Sequence, residues 1–164
     1  MSLLDELERL IAEARARLAE MPVYVPMSDE ADIRPMLDEV IKTHRLFLPV
    51  IEGGKLAFRQ ATDLDTLVPG PFQIPEPPLG NPLLDVTQPA IVLVPGRAFD
   101  RKGDRMGRGN GGYDIWIRAA RKANTAVKFW GIALECQIVQ DVPLEAHDEK
   151  VDAIVTARGK EEIS

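Results

Sequence analysis

The sequence is poor in the residues that cross-link or metal-staple a small fold. It holds one cysteine, Cys136, and two histidines in 164 residues. One thiol cannot close an internal disulfide, and this set does not build a zinc site of its own. No apolar run approaches the ~20 residues that a membrane-spanning helix needs. The N-terminal stretch carries Asp5, Glu6, Glu8, Glu13 and Glu20 and has no continuous apolar core, which argues against a secretory signal. Internal repeats and low-complexity tracts are also missing. The expectation is one domain over residues 1–164, cytoplasmic and monomeric by default, and long enough to bury a core unaided.

Cations are outnumbered as well, 20 Lys+Arg against 26 Asp+Glu, for a net charge of −6. Such a surface repels nucleic acid and anionic lipid through its overall field. One window runs the other way. Arg97, Arg101, Lys102, Arg105 and Arg108 face only Asp100 and Asp104 between positions 97 and 108.

What is present reads as alternating helices and buried strands. Leu3, Leu7, Leu10, Ile11, Ala14 and Leu18 recur at helical spacing behind Ser2, a plausible N-cap with Asp5 three residues on, and Pro22 is expected to stop that helix. Val23-Tyr24-Val25 reads as extended. A second helix carries Ile33, Met36, Leu37, Val40 and Ile41, with Asp32 as N-cap and Pro35 in its first turn, where a missing N–H costs little. Leu46–Ile51 and Leu56–Arg59 flank Gly53-Gly54 as two extended pieces, and six prolines in positions 68–82 make an irregular connection. Ala90–Val94, Phe129–Leu134 and Ala153–Val155 read as buried strands, and 112–123 as a helix with Trp116, Ile117 and Ala120 inward. Cys136 is expected to be a small buried residue. This alternation predicts an α/β fold, a three-layer α/β/α sandwich with a mainly parallel sheet.

Chemistry concentrates between Val94 and Asp114. The segment leaves the C-terminal end of a buried strand, holds five glycines from Gly103 to Gly112, and enters a helix. Ligands of open α/β sheets bind beyond the carboxyl ends of strands. Glycines there let backbone N–H groups approach an anion, the helix N-terminus adds partial positive charge, and Arg105 and Arg108 add full charges. The pattern is that of a phosphate cradle. It lacks the Gly-Lys-Ser/Thr of a P-loop and the Gly-x-Gly-x-x-Gly of a dinucleotide fold. Asp114 reads either as a helix cap or dipole partner or as a hard-cation ligand beside the phosphates.

The same segment resembles the signature of the 5-formyltetrahydrofolate cyclo-ligase family, the methenyltetrahydrofolate synthetases. It runs Pro95-Gly96, Phe99-Asp100, Gly103, Arg105-Met106-Gly107-Arg108-Gly109 and Gly111-Gly112-Tyr113-Asp114. Tyr24-x-Pro26-x-x-x-Glu30, Leu48-Pro49 and Ile74-Pro75-Glu76-Pro77 extend the likeness upstream. Gly131–Glu135 with Gln137, and His147-Asp148-x-x-Val151-Asp152, extend it downstream. The resemblance implies ATP- and Mg²⁺-dependent closure of 5-formyltetrahydrofolate to 5,10-methenyltetrahydrofolate. It places Arg105, Met106, Gly107, Arg108, Gly109, Asn110, Gly111, Gly112 and Tyr113 around the ATP phosphates, with Arg108 stabilising the transferring group. It assigns Val25, Glu30, Arg108 and Gly112 to the folate, and Asp114 and Asp148 to Mg²⁺. By spacing alone, Glu30 is equally a first-turn acid of the second helix. The chain departs from the family in having one helix before Tyr24 and no lysine before Lys42. Gly112 stands in place of an aromatic, and Asn110 in place of Gly or Lys. Two alternatives follow: a relative that binds nucleotide without folate turnover, and an enzyme on the same scaffold that takes a phosphorylated sugar or CoA ester.

Overall fold

A computed structural model describes residues 2–15, 18–109 and 111–164. Helix α1, Leu3–Glu13, opens on a reciprocal cap in which Ser2 Oγ accepts the Asp5 N–H at 3.1 Å and the Asp5 carboxylate accepts the Ser2 N–H at 2.9 Å. It ends well before Pro22. That proline lies inside strand β1, Glu20–Pro22, because the chain is drawn into the sheet beside β2, Arg45–Glu52. The β1–β2 ladder continues through the Val23 N–H to Phe47 O at 3.0 Å, a bond to which Pro22 contributes no donor. Helix α2, Arg34–Thr43, holds Pro35 in its first turn as expected, but Ile33 occupies the N-cap position. Asp32 instead accepts the Arg34 N–H at 3.1 Å and pairs with that residue's guanidinium, which lowers its pKa to about 2.

Strand β3, Lys55–Ala61, folds back on β2 through Gly53-Gly54. The proline-rich connection contributes only β4, Val68–Pro69, and β5, Pro75–Glu76, around a tight turn in which Phe72 and Gln73 take φ of 59° and 61°. Strand β6, Ile91–Val94, is buried throughout. A small hairpin of β7, Ala98–Phe99, and β8, Arg105–Met106, precedes α3, Gly112–Ala123. Strands β9, Lys128–Ile132, and β10, Ala153–Thr156, follow, and β11, Gly159–Glu162, closes the chain as an edge that the sequence pattern did not reveal.

A parallel bridge from Val23 to Leu93 joins β1 to β6, so the strands run β3-β2-β1-β6-β9-β10-β11. The five inner strands are parallel and the two edges antiparallel. Strand periodicity sorts the side chains into two cores. Leu46, Leu48, Ile91, Leu93, Trp130, Ile132, Ala153 and Val155 meet α1 and α2, whereas Phe47, Val92, Val94, Phe129 and Ile154 meet Trp116, Ile117 and Ala120 of α3. Helices thus cover both faces, and β6 at the centre carries no polar residue. The C-terminal ends of β6 and β9 point toward the loop that carries the chemistry.

Candidate active site

The loop after β6 is fixed before it reaches its glycines. Phe99 is fully buried and lies so close to Gly96 and Gly131 that a Cβ on either would strike its ring. Asp100, also fully buried, accepts the N–H groups of Lys102 at 2.9 Å, Asp104 at 3.2 Å and Val142 at 2.9 Å. Burial pushes its pKa up, and the three N–H donors more than offset it and hold the carboxyl below the usual range. Asp104 is buried beneath Lys150, Nζ to Oδ1 2.5 Å. The expected cradle is therefore mounted on a stapled hairpin.

Arg105, expected around the ATP phosphates, is anchored within the protein. Its side chain is buried and runs beneath Gly107, with Nη1 donating to Pro95 O at 3.1 Å and Nη2 3.7 Å from Asp114 Oδ1. Its guanidinium lies 5.3 Å from the centre of the Tyr113 ring, and its Nε has no hydrogen-bond partner among the described residues. Met106 is exposed. Gly109 and Gly111 take φ of 90° and 70°, a region costly for residues with a Cβ, and open space surrounds both positions. Gly111 is also the N-cap of α3 and has no side chain with which to cap it. Asn110 lies outside the described residues.

Arg108 reaches across to the segment after β1. It grips the Asp29 carboxylate, Nη1 to Oδ2 3.2 Å, and its Nη2 lies 3.7 Å from Glu30 Oε2. Glu30 precedes α2 and is not part of it. Its side chain is 7% exposed, and its carboxyl accepts the Met27 N–H at 2.8 Å. Burial pushes its pKa up, against the pull of the Met27 N–H and of Arg108. Glu30 in turn adds to the burial that raises Tyr24, which donates to Ala31 O at 2.8 Å, and to the burial that raises Tyr113. Val25 is buried on the same wall. Glycine-loop and early-strand residues, far apart in sequence, are thereby brought together. Gly112, at the first position of α3, belongs to the same loop.

Gln137, which the sequence marks only as part of a family block, ties three segments together. Its Nε2 donates to Gly96 O at 2.9 Å and Asp29 O at 3.1 Å, while its Oε1 accepts the Leu134 N–H at 2.9 Å. Its place in the Gly131–Gln137 block was the available signal. Cys136 beside it is exposed, contrary to expectation, because the short turn at 135–137 points Gln137 inward instead.

Asp114 lies in the first turn of α3, where a carboxylate meets the positive end of the helix dipole. Its Oδ1 accepts the Glu149 N–H at 3.0 Å, which draws the 145–150 segment against the start of α3. Asp148 on that segment accepts the Glu145 N–H at 2.9 Å through Oδ2. Among the described residues, no group of three or more His, Cys, Asp or Glu could hold a metal ion. A pair of carboxylates at most is available, the number Mg²⁺ takes when phosphate oxygens and water complete its shell.

Comparisons with known proteins bear on the fold and the family. The model of the 5-formyltetrahydrofolate cyclo-ligase family matches residues 5–157. The 5-formyltetrahydrofolate cyclo-ligase of Escherichia coli strain K12 is 30% identical over 139 residues, 82% of this chain and 75% of that protein. The solution structure of Aquifex aeolicus 5,10-methenyltetrahydrofolate synthetase superposes with a TM-score of 0.80 at 27% identity, covering 98% of this chain and 81% of that one. A Mycoplasma pneumoniae 5,10-methenyltetrahydrofolate synthetase shares the fold, with a TM-score of 0.68 at 19% identity over 95% of this chain and 85% of its own. No helix among the described residues is long and apolar enough to cross a membrane. By its family match, its likeness to the E. coli enzyme and the loop that joins Arg108 to Glu30, the chain belongs to the 5-formyltetrahydrofolate cyclo-ligase family.

Proposed function

We propose that the protein closes 5-formyltetrahydrofolate to 5,10-methenyltetrahydrofolate at the expense of ATP, releasing ADP and phosphate. The observation that carries the proposal is the approach of Arg108, from the glycine loop, to within 3.7 Å of the buried Glu30 carboxyl on the early-strand wall. A cation suited to phosphoryl oxygens and an acid suited to a polar heterocycle thus face one reaction centre.

An N-formyl oxygen is a poor leaving group. ATP supplies the phosphoryl group that converts it into phosphate, after which N10 forms its bond to the formyl carbon, loses its proton, and the C–O bond breaks. The chain's part is positioning and charge neutralisation. Arg108 would lie against the transferring phosphoryl group, where charge builds in the transition state. The N–H groups around Gly109 and Gly111 would receive neighbouring phosphate oxygens, with the N-terminal end of α3 adding partial positive charge. The unpartnered Nε of Arg105 and the open space at both glycines support the fit of an anion there. Glu30 and Val25 would hold the folate, with Gly112 leaving room where the family carries a ring. Asp114 and Asp148 would hold Mg²⁺, which supplies further neutralisation of the phosphates. A single unit over residues 1–164, working as a monomer in the cytoplasm, completes the proposal.

The test is direct. Incubation with 5-formyltetrahydrofolate and Mg·ATP should yield the coloured methenyl product and ADP in equal amounts. ATP consumed without methenyl product, or product formed without ATP, overturns the reading.

A further inference from the structure

Arg97 and Arg108 share one carboxylate. Asp29 Oδ2 lies 3.2 Å from Arg97 Nε and 3.2 Å from Arg108 Nη1, while Oδ1 meets Arg108 Nη2. A carboxylate gripped by both terminal nitrogens of a guanidinium offers the oxygen geometry that a phosphoryl group offers. We propose that Asp29 is an internal stand-in for the nucleotide's terminal phosphoryl group, a positioning residue that holds Arg108 until incoming phosphate oxygens displace it. This rests on the reading of the glycine loop as the nucleotide site.

Three features make Asp29 releasable. Its side chain is 42% exposed, so the freed carboxylate passes into water at little cost. Its backbone is held independently, since the Asp29 carbonyl accepts from Gln137 Nε2 at 3.1 Å. The side chain can therefore swing without moving the wall that bears Glu30. Arg97 already touches the same oxygen and can keep the carboxylate once Arg108 departs. Glu30 provides the contrast. It is buried, tied to the Met27 N–H, and 3.7 Å from the same guanidinium, so it cannot leave with Asp29. Arg108 is suspended between one fixed carboxyl and one exchangeable one.

The consequence is quantitative. When only the fraction of molecules with Arg108 released can bind, the apparent dissociation constant rises by the inverse of that fraction. Asp29→Asn removes the charge and keeps the shape. Equilibrium binding of ATP and of AMP to the wild type, Asp29→Asn and Asp29→Glu reads the effect. The Asn variant should bind ATP about three- to fivefold more tightly, the scale of an exposed ion pair. AMP lacks the phosphoryl groups that reach Arg108 and should bind all three proteins alike, and the Glu variant should resemble the wild type. Unchanged or weaker ATP binding by Asp29→Asn overturns the proposal. So does an equal gain for AMP, a Glu variant that behaves like the Asn one, or a lack of ATP binding by every protein tested. Methenyl product measured alongside separates the two readings. Turnover with unaltered ATP affinity in Asp29→Asn sinks the stand-in alone, whereas tighter ATP binding with no product in any variant sinks the cyclo-ligase reading alone.

Discussion

Arg108 and Glu30 are adjacent in space and opposite in chemical demand. Arg108 is a solvent-reaching cation whose present partner is an exposed carboxylate, so its loss should cost the fold less than about 1 kcal/mol. Its loss from a phosphoryl-transfer step should cost far more. Arg108→Ala is expected to lower kcat by about 10²–10³-fold, the scale of removing one transition-state charge donor, with thermal midpoint nearly unchanged. Steady-state turnover and calorimetry on the same preparation check both halves. Glu30 makes the complementary prediction. Its carboxyl titrates above the ordinary range, chiefly through burial. In the pH window between its unfolded and its folded value, the folded state therefore binds more protons than the unfolded one. Stability from this group is present at acid pH and lost as pH rises through the folded value. Glu30→Gln never ionises, so its stability relative to wild type should increase from pH 4 to pH 8. Denaturant unfolding across that range reads the trend. A flat difference would place Glu30 in a more polar setting than its burial indicates.

At the level of elements, legibility followed the source of each constraint. Strands β6 and β9 could be read because burial on both faces demands unbroken apolar runs, a demand visible in Ile91–Val94 alone. The helix at 112–123 was equally plain, since Trp116, Ile117 and Ala120 share one stripe. The end of α1 was not. Leu18 continues the helical spacing, yet it is buried outside the helix because the segment before β1 must turn into the sheet. Strand β11 has no apolar pattern in the sequence, because Gly159–Glu162 is an edge paired with β10 and largely exposed. In the site, glycines and arginines announced an anion cradle, whereas the Asp29–Arg108 pair spans 79 positions and depends on tertiary placement. Gly131 shows why some motif residues matter without touching a ligand: only a missing side chain lets β9 pass the Phe99 ring. Gly131→Ala should destabilise the protein by about 1–3 kcal/mol, the usual range for overpacking. The displaced Phe99 should also carry Arg105, its β7–β8 partner, out of place. Denaturant melts together with ATP affinity test the pair of effects, and loss of stability with intact ATP binding would separate Phe99 from the cradle.

Across the whole molecule, the two expected Mg²⁺ carboxylates lie on segments that are distant in sequence, and α3 is the strut between them. Asp114, Arg118 and Arg121 stand at helical spacing along it. Arg118 donates to Glu149 Oε1 at 2.9 Å and to His147 O at 2.7 Å, and Arg121 reaches Glu149 Oε2 at 3.1 Å and Lys150 O at 2.7 Å. Arg118 thereby binds the chain on both sides of Asp148, and Arg121 holds the side that follows it. Neither arginine belongs to the glycine loop, so their effect on chemistry must pass through the position of that carboxylate. Arg118→Ala removes two of the bonds and leaves Arg121 to keep the segment folded. The expected result is a several-fold rise in the Mg²⁺ concentration that gives half-maximal turnover, with maximal turnover largely recovered at saturating metal. Arg118→Lys, which keeps the charge but not the fork that serves Glu149 and the His147 carbonyl together, should fall between. Chelation of the metal should abolish turnover in all three proteins. An unchanged Mg²⁺ requirement in Arg118→Ala would mean that Asp148 holds its place without α3, or that the metal rests on Asp114 and the nucleotide alone.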